Sequence, residues 1–309
     1  MEDFSKDFEQ TVGKALRRDV PLREHSSFRI GGPARYYFEA EHPAELKAAV
    51  ALCRSRSMPY YLMGGGYNLL FDDAGFGGVI IKNVCRGMAL KSAQIDVFSG
   101  TKLSAFVEFA AKNGLEGIEF LAGIPGTVGG AVCGNAGAFG RSLGEVLTEA
   151  VLLDRKGEEI TVGPDYFRFS YRRSFLRTSQ EILLKAVFGL RPGDETWIRS
   201  RISEYLEQRR TKHPPPDTAC AGCYFKNPVL PDGRKVPAGK ILEDAGAKTL
   251  KSGDAGVSSC HGNFIINEGR ATAEDVLSLA EVLKKRVKES SGYELEEEVI
   301  FLPATASMP

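Results

Sequence analysis

Gly123-Ile124-Pro125-Gly126-Thr127-Val128-Gly129-Gly130-Ala131, running on to Gly134-Asn135-Ala136-Gly137, places six glycines and one proline within fifteen residues of otherwise apolar sequence. Glycine permits positive φ and close approach of the backbone. A chain that clusters it in this way typically presents bare N–H groups to a large ligand, often a pyrophosphate. A second run, Met63-Gly64-Gly65-Gly66-Tyr67-Asn68-Leu69-Leu70, follows the apolar, strand-like Tyr60-Tyr61-Leu62. Either run alone is equally an ordinary tight-loop cluster. Together they point to one extended dinucleotide held by two loops, and a Cβ branch at Gly65 or Gly129 is expected to intrude on it. Neither run fits G-x-G-x-x-G opening a helix inside a βαβ unit, which argues against a Rossmann site.

The 309 residues are enough for two or three packed units. Forty basic and forty acidic residues cancel, with no long block of either sign, so nucleic acid and membrane surfaces have no electrostatic support as partners. No apolar run approaches the ~18 residues of a membrane helix. The acidic, amphipathic MEDFSKDFEQ lacks the apolar core of a signal peptide. A soluble, cytoplasmic protein is expected, acting as a monomer. The six cysteines (Cys53, Cys85, Cys133, Cys220, Cys223, Cys260) do not form a secreted disulfide framework. Cys220 and Cys223 make a C-x-x-C pair, but only Cys260 and His261 could complete a zinc site, so no metal is expected.

Leu46, Ala49, Val50 and Cys53 have helical spacing behind Pro43, which suits a first turn. Leu103, Phe106, Val107, Ala110 and Ala111 mark a second helix, closed by Asn113-Gly114. Strands are expected at 60–63, 79–82, 150–154, 159–162, 182–190, 263–267 and 299–302. A helix at 196–210 presents Ile198, Ile202 and Tyr205 on one face and runs into Lys212-His213-Pro214-Pro215-Pro216, whose prolines end it. A last helix at 273–288 opens on Thr272 and Asp275 and buries Val276, Leu279, Ala280, Leu283 and Val287. The fold class is α+β, with a two-part N-terminal cofactor region and a C-terminal α/β lobe.

With Ser26-Ser27-Phe28-Arg29-Ile30-Gly31-Gly32-Pro33-Ala34 ahead of them, the glycine runs resemble the UDP-N-acetylenolpyruvoylglucosamine reductase (MurB) family. The resemblance spans roughly Pro21 to Leu302. It also rests on Phe169-Ser170-Tyr171-Arg172-Arg173-Ser174-Phe175, on Ala221-Gly222-Cys223-Tyr224-Phe225-Lys226-Asn227-Pro228 and on Leu295-Glu296-Glu297-Glu298-Val299. It implies a PCMH-type, MurB-like FAD-binding region in two subdomains, 1–82 and 83–195. The C-terminal strand 299–309 returns to the first, and 196–298 forms the substrate-binding domain. Only Ser174–Glu181 separates Tyr171-Arg172 from the next strand, as in the shorter type of the family, which lacks an inserted tyrosine loop.

The resemblance implies FAD as cofactor and NADPH as electron donor, with Gly64, Gly65, Gly66, Tyr67, Asn68 and Leu69 at the cofactor. It adds Gly123, Ile124, Pro125, Gly126, Thr127, Gly129, Gly130 and Ala131, whose amides with those of the first loop would meet the flavin, then Asn135, Ala136, Gly137 and Tyr171. The implied reaction reduces UDP-N-acetylglucosamine enolpyruvate to UDP-N-acetylmuramate in peptidoglycan precursor synthesis, with hydride from the flavin N5. Arg172 would stabilise the charge that develops beside the substrate carboxylate, and Glu298 would help fix the enolate. Cys223 would give the proton, standing where serine is usual; an unperturbed thiol has a pKa near 8.5. Serine in its place is therefore expected to raise the alkaline limb of the pH profile, and alkylating reagents to inactivate. Lys212, Asn227 and Lys240 match positions implicated in contacts to the sugar nucleotide. Two other readings are a flavin-linked oxidase of the same superfamily and a non-catalytic redox sensor using Cys220 and Cys223.

Overall fold

In the computed structural model, residues 4–305 are described; the outermost residues of the first partition, 1–3 and 306–309, lie outside them. The first unit is a four-stranded sheet in the order Arg17–Pro21, Pro33–Ala40, Phe76–Asn83, Tyr60–Met63. The first pair is antiparallel and the others parallel. Its central strand Phe76–Asn83 is buried on both faces and reads as an apolar run, whereas the edge strand Arg17–Pro21 is largely exposed. Tyr36, Phe38, Val79 and Ile81 pack under the helices Phe4–Val12 and Pro43–Ser55. Their neighbours Tyr37 and Ile80 point to the opposite core with Leu22, Phe71 and Leu302. Ile300–Leu302 pairs in parallel with Leu69–Phe71, which brings the end of the chain back to the first glycine run.

The second unit is a five-stranded antiparallel sheet in the order Glu159–Val162, Leu147–Leu153, Ile182–Gly189, Gln94–Phe98, Met88–Lys91. The helix Leu103–Lys112 covers it, burying the five apolar residues named for it above. The helix Glu195–Lys212 is capped by Asp194, whose carboxylate accepts from the Trp197 N–H at 2.8 Å. Its Tyr205 and Ile202 pack into this same second core. By packing, then, the helix belongs with the second unit, whereas the partition 196–298 assigns it to the third.

The third unit packs the helices Ala238–Asp244 and Ala273–Ser291 on a small sheet, Lys251–Ser252, Ala255–Val257 and Ile265–Asn267. Its core takes in Phe28, Ile30 and Leu70 from the first unit. Thr272 and Asp275 form the expected capping box. The strand expected from Asn263 begins only at Ile265, because the buried Asn263 is occupied otherwise. Its amide exchanges hydrogen bonds with the Phe225 backbone at 2.9 and 2.8 Å, and its carbonyl accepts from the Tyr224 N–H at 2.8 Å. The segment after Cys223 is thereby pinned.

Candidate active site

Both glycine runs line one cleft of about 520 Å³, together with Lys82, Asn83, Arg86, Gly100, Lys102 and Ser104. The first run makes a tight turn through Gly66, at φ +72°, where any Cβ would collide with the His25 carbonyl. Ser27 holds this turn by donating from its N–H and hydroxyl to the Gly66 carbonyl at 3.1 and 3.3 Å. The amides of Gly65, Gly66, Tyr67 and Asn68 have no acceptor among the described residues. Buried or half-buried donors in this state are rare without a partner. Gly65 and Tyr67, two of the four, line the cleft with its cations, an arrangement that fits an anionic dinucleotide.

The second run contributes shape more than donors. The N–H of Val128 donates to Thr101, that of Gly129 to Ser99 at 2.7 Å, that of Ala131 to the Thr127 carbonyl and that of Ile124 to Leu121. Thr127 caps the short helix Val128–Cys133 by accepting from the Gly130 N–H at 3.3 Å. The expectation that the amides of 123–131 face the cofactor is thus corrected: most are consumed in folding the loop. A Cβ on Gly129 would meet the Ser99 carbonyl at 3.0 Å, and one on Gly65 the Tyr67 ring at 2.5 Å, so both intrude on protein. Gly126, at φ +134°, has open space where its Cβ would be.

Asn135, Ala136 and Gly137 also have another task than the one expected. Asn135, buried at φ +44°, donates to the Ser170 carbonyl at 2.9 Å and accepts from the Gly144 N–H at 3.0 Å. Ala136 exchanges backbone bonds with Ala131 and Leu143. Ser170 and Arg173 bond each other reciprocally at 3.1 and 3.2 Å, closing a two-residue turn over Tyr171-Arg172. Arg172 itself sits at φ +57°, a left-handed conformation that costs an arginine about 1–2 kcal/mol. Its Nη1 donates to the Gly137 carbonyl at 2.9 Å. The run after the second glycine loop therefore aims Arg172.

Arg172 Nε lies 3.0 Å from Glu298 Oε1, yet this buried N–H is not aligned on any acceptor, so the contact is charge proximity and not a directed hydrogen bond. Glu298 is fastened through its backbone: Asn68 Nδ2 donates to its carbonyl at 3.0 Å, and its N–H donates to the Tyr224 carbonyl at 2.8 Å. Burial raises the Glu298 carboxyl above the usual carboxylate range, against the pull of Arg172 and Arg177. Burial likewise pushes the Cys223 thiol up to about 12, aided by Glu298 and opposed by Arg172 and Arg209. The thiol is therefore protonated throughout the neutral range. Arg172 comes from the second unit, Glu298 from just ahead of the return strand Ile300–Leu302 and Cys223 from the third unit, and the three lie within electrostatic reach of one another.

Of the softer expectations, Tyr171 bridges units: its hydroxyl accepts from the Asn227 N–H at 3.3 Å, and Lys235 Nζ stands 4.0 Å from its ring centre. One face of that ring is thus occupied by protein. Asn227 caps the helix Ala238–Asp244 by accepting from the Ala238 N–H at 2.9 Å. Lys240 is exposed and pairs with Asp244, while Lys212 stands exposed at its helix end. Sequence reading missed Lys82 and Lys102 in the cleft, and also Arg209. Arg209 Nε donates to the Ala122 carbonyl at 2.8 Å, and its stem packs on Gly123. Its signal was a cation one turn before the prolines. Among the described residues, no group of three or more His, Cys, Asp or Glu is placed to hold a metal. No described helix is long and apolar enough to cross a membrane.

The cleft and fold define a flavin-binding class: the profile of the FAD binding domain matches residues 34–163. That of the UDP-N-acetylenolpyruvoylglucosamine reductase C-terminal domain matches 214–302. The chain is 41% identical over 287 residues to UDP-N-acetylenolpyruvoylglucosamine reductase of Geotalea uraniireducens, covering 92% of this chain and 93% of that one. It is 35% identical to the Clostridium novyi reductase, covering 96% and 95%. The crystal structure of UDP-N-acetylenolpyruvylglucosamine reductase (MurB) from Thermus caldophilus superposes with a TM-score of 0.77 at 34% identity, covering 93% of this chain and all of that one. The chain belongs to the UDP-N-acetylenolpyruvoylglucosamine reductase family.

Proposed function

We propose that the protein is a cytoplasmic, FAD- and NADPH-dependent reductase that converts UDP-N-acetylglucosamine enolpyruvate to UDP-N-acetylmuramate. The observation that carries this reading is the convergence of Arg172, Glu298 and Cys223, with Glu298 tied by Asn68 to the first glycine run, whose Gly64, Gly65 and Tyr67 line the cleft. The open space at Gly126 and the free amides of 65–68 fit FAD, which when bound supplies the hydride for the methylene carbon. Reduction of the enolpyruvyl double bond gathers negative charge on the adjacent carbon and its carboxylate. Arg172 Nη2, with no partner among the described residues, is placed to pair with that carboxylate. Glu298, whose raised pKa favours a proton, can donate to the enolate oxygen. As Cys223 Sγ gives its proton to the carbon and the substrate carboxylate re-forms, the proton lent to the enolate oxygen returns to Glu298; the Cys223 thiolate takes one proton from solvent, so one hydride and one proton are added in all.

Burial raises the pKa of both Cys220 and Cys223, the opposite of what a redox sensor requires. Steady-state assay with the sugar nucleotide tests the proposal: NADPH oxidation that depends on the enolpyruvyl compound, with lactyl ether as product, is expected. NADPH oxidation by oxygen alone, unaffected by the sugar nucleotide, would overturn it.

A further inference from the structure

Three cations line the cleft, Lys82, Arg86 and Lys102, and among the described residues no Asp or Glu lines it. Arg86 and Lys102 are exposed, whereas the Lys82 side chain is only 25% exposed and is tethered. Its ammonium lies 3.3 Å from Glu39 Oε1, a carboxylate outside the cleft that is its register partner on the neighbouring parallel strand. Glu39 accepts from the Tyr37 hydroxyl at 2.8 Å. Tyr37 is wholly buried, and its hydroxyl also lies 3.2 Å from His25 Nδ1, the two rings stacking at 4.4 Å. The single hydroxyl proton goes to the carboxylate, so His25 must supply Nδ1–H to the tyrosine oxygen. Burial holds His25 below its ordinary pKa, and its Nε2 is buried with no partner, as a neutral ring with a bare lone pair. The same His25 carbonyl is the wall against which Gly66 turns. One scaffold therefore sets both the free amides of the first glycine loop and the position of Lys82.

We infer that Lys82 is a phosphate contact for the diphosphate of the cofactor, and that Glu39, fastened by Tyr37 and His25, is the residue that positions its ammonium. This rests on the reading of the cleft as the FAD site. An ammonium has three N–H donors; one is spent on Glu39, which leaves two for phosphate oxygens. A fixed, partly desolvated cation serves an anion better than a mobile surface lysine, because ordering it beforehand removes an entropic cost of binding.

The test is titration of FAD and of riboflavin, which has no phosphate, into protein stripped of flavin, followed by flavin fluorescence. Lys82→Met should weaken FAD about 10- to 100-fold, the loss of a charge-assisted hydrogen bond, and leave riboflavin unchanged. Lys82→Arg should recover most of the affinity. Glu39→Gln should weaken FAD about three- to tenfold in the native background and have no effect in Lys82→Met, a non-additivity that a merely structural carboxylate would not give. Unchanged FAD affinity in Lys82→Met, or equal loss of FAD and riboflavin, would overturn the phosphate contact. Additive losses, or tighter binding in Glu39→Gln, would overturn the positioning role. Failure of the unaltered protein to bind FAD would overturn the functional reading itself.

Discussion

Cys223 should be a slow thiol. Its pKa stands at about 12 against an ordinary 9.0, because burial penalises the thiolate and Glu298 adds to the penalty. Only the thiolate attacks an alkylating reagent. Near pH 8 an ordinary thiol of that reference value is about one-tenth ionised, and Cys223 about one part in ten thousand, so alkylation should be about 10³-fold slower. Timed iodoacetamide labelling read by mass spectrometry tests this, with the exposed Cys260 as internal reference on the same molecule. This corrects the sequence expectation of ready inactivation. It also corrects the expected pH profile: Cys223→Ser should leave the alkaline side unchanged up to about pH 10, since neither side chain ionises there. Cys223→Ala should still lose about 10²–10⁴-fold in turnover of the enolpyruvyl substrate. Alkylation of Cys223 as fast as Cys260 would refute the argument.

Glu298→Gln should show a stability advantage over the native protein that grows with pH. The folded-state carboxyl is raised, so its contribution is fully present at acid pH and is lost as pH rises through the raised value. Glutamine has no such loss, and melting curves at about pH 4 and pH 8 should diverge in that direction; parallel curves would contradict it. Gly129→Val should lower the melting temperature, costing about 1–3 kcal/mol against the Ser99 backbone. Gly65→Val should largely spare it, since the Tyr67 ring is 45% exposed and can swing away, while FAD retention falls. Equal melting losses would show that the two loops are not distinguished in this way.

The elements with strong periodicity were legible: the helices behind Pro43, Thr272 and Leu103 begin where their caps and apolar spacing put them. The helices Phe4–Val12 and Ala238–Asp244 were not, since one lies in a charged terminus and the other is seven residues among prolines and glycines. Glycine density marked the cleft correctly but could not tell which amides remain free. That depends on long-range acceptors such as Ser99 and Thr101, which lie far from 128–129 in sequence. Likewise Asn135 and Gly137 read as cofactor loop because nothing local announces that they hold Ser170 and Arg172. Tethered Lys82 follows from a parallel strand register, and register is not written in either strand alone.

If Arg172 and Glu298 act on charge that develops only in the substrate, stopped-flow absorbance of the flavin should separate the two half-reactions. In Arg172→Ala and Glu298→Gln, bleaching by NADPH should proceed at nearly the native rate. Recovery of the oxidised spectrum on adding UDP-N-acetylglucosamine enolpyruvate should slow by roughly 10²–10³-fold. Slowed bleaching with normal recovery would contradict the account.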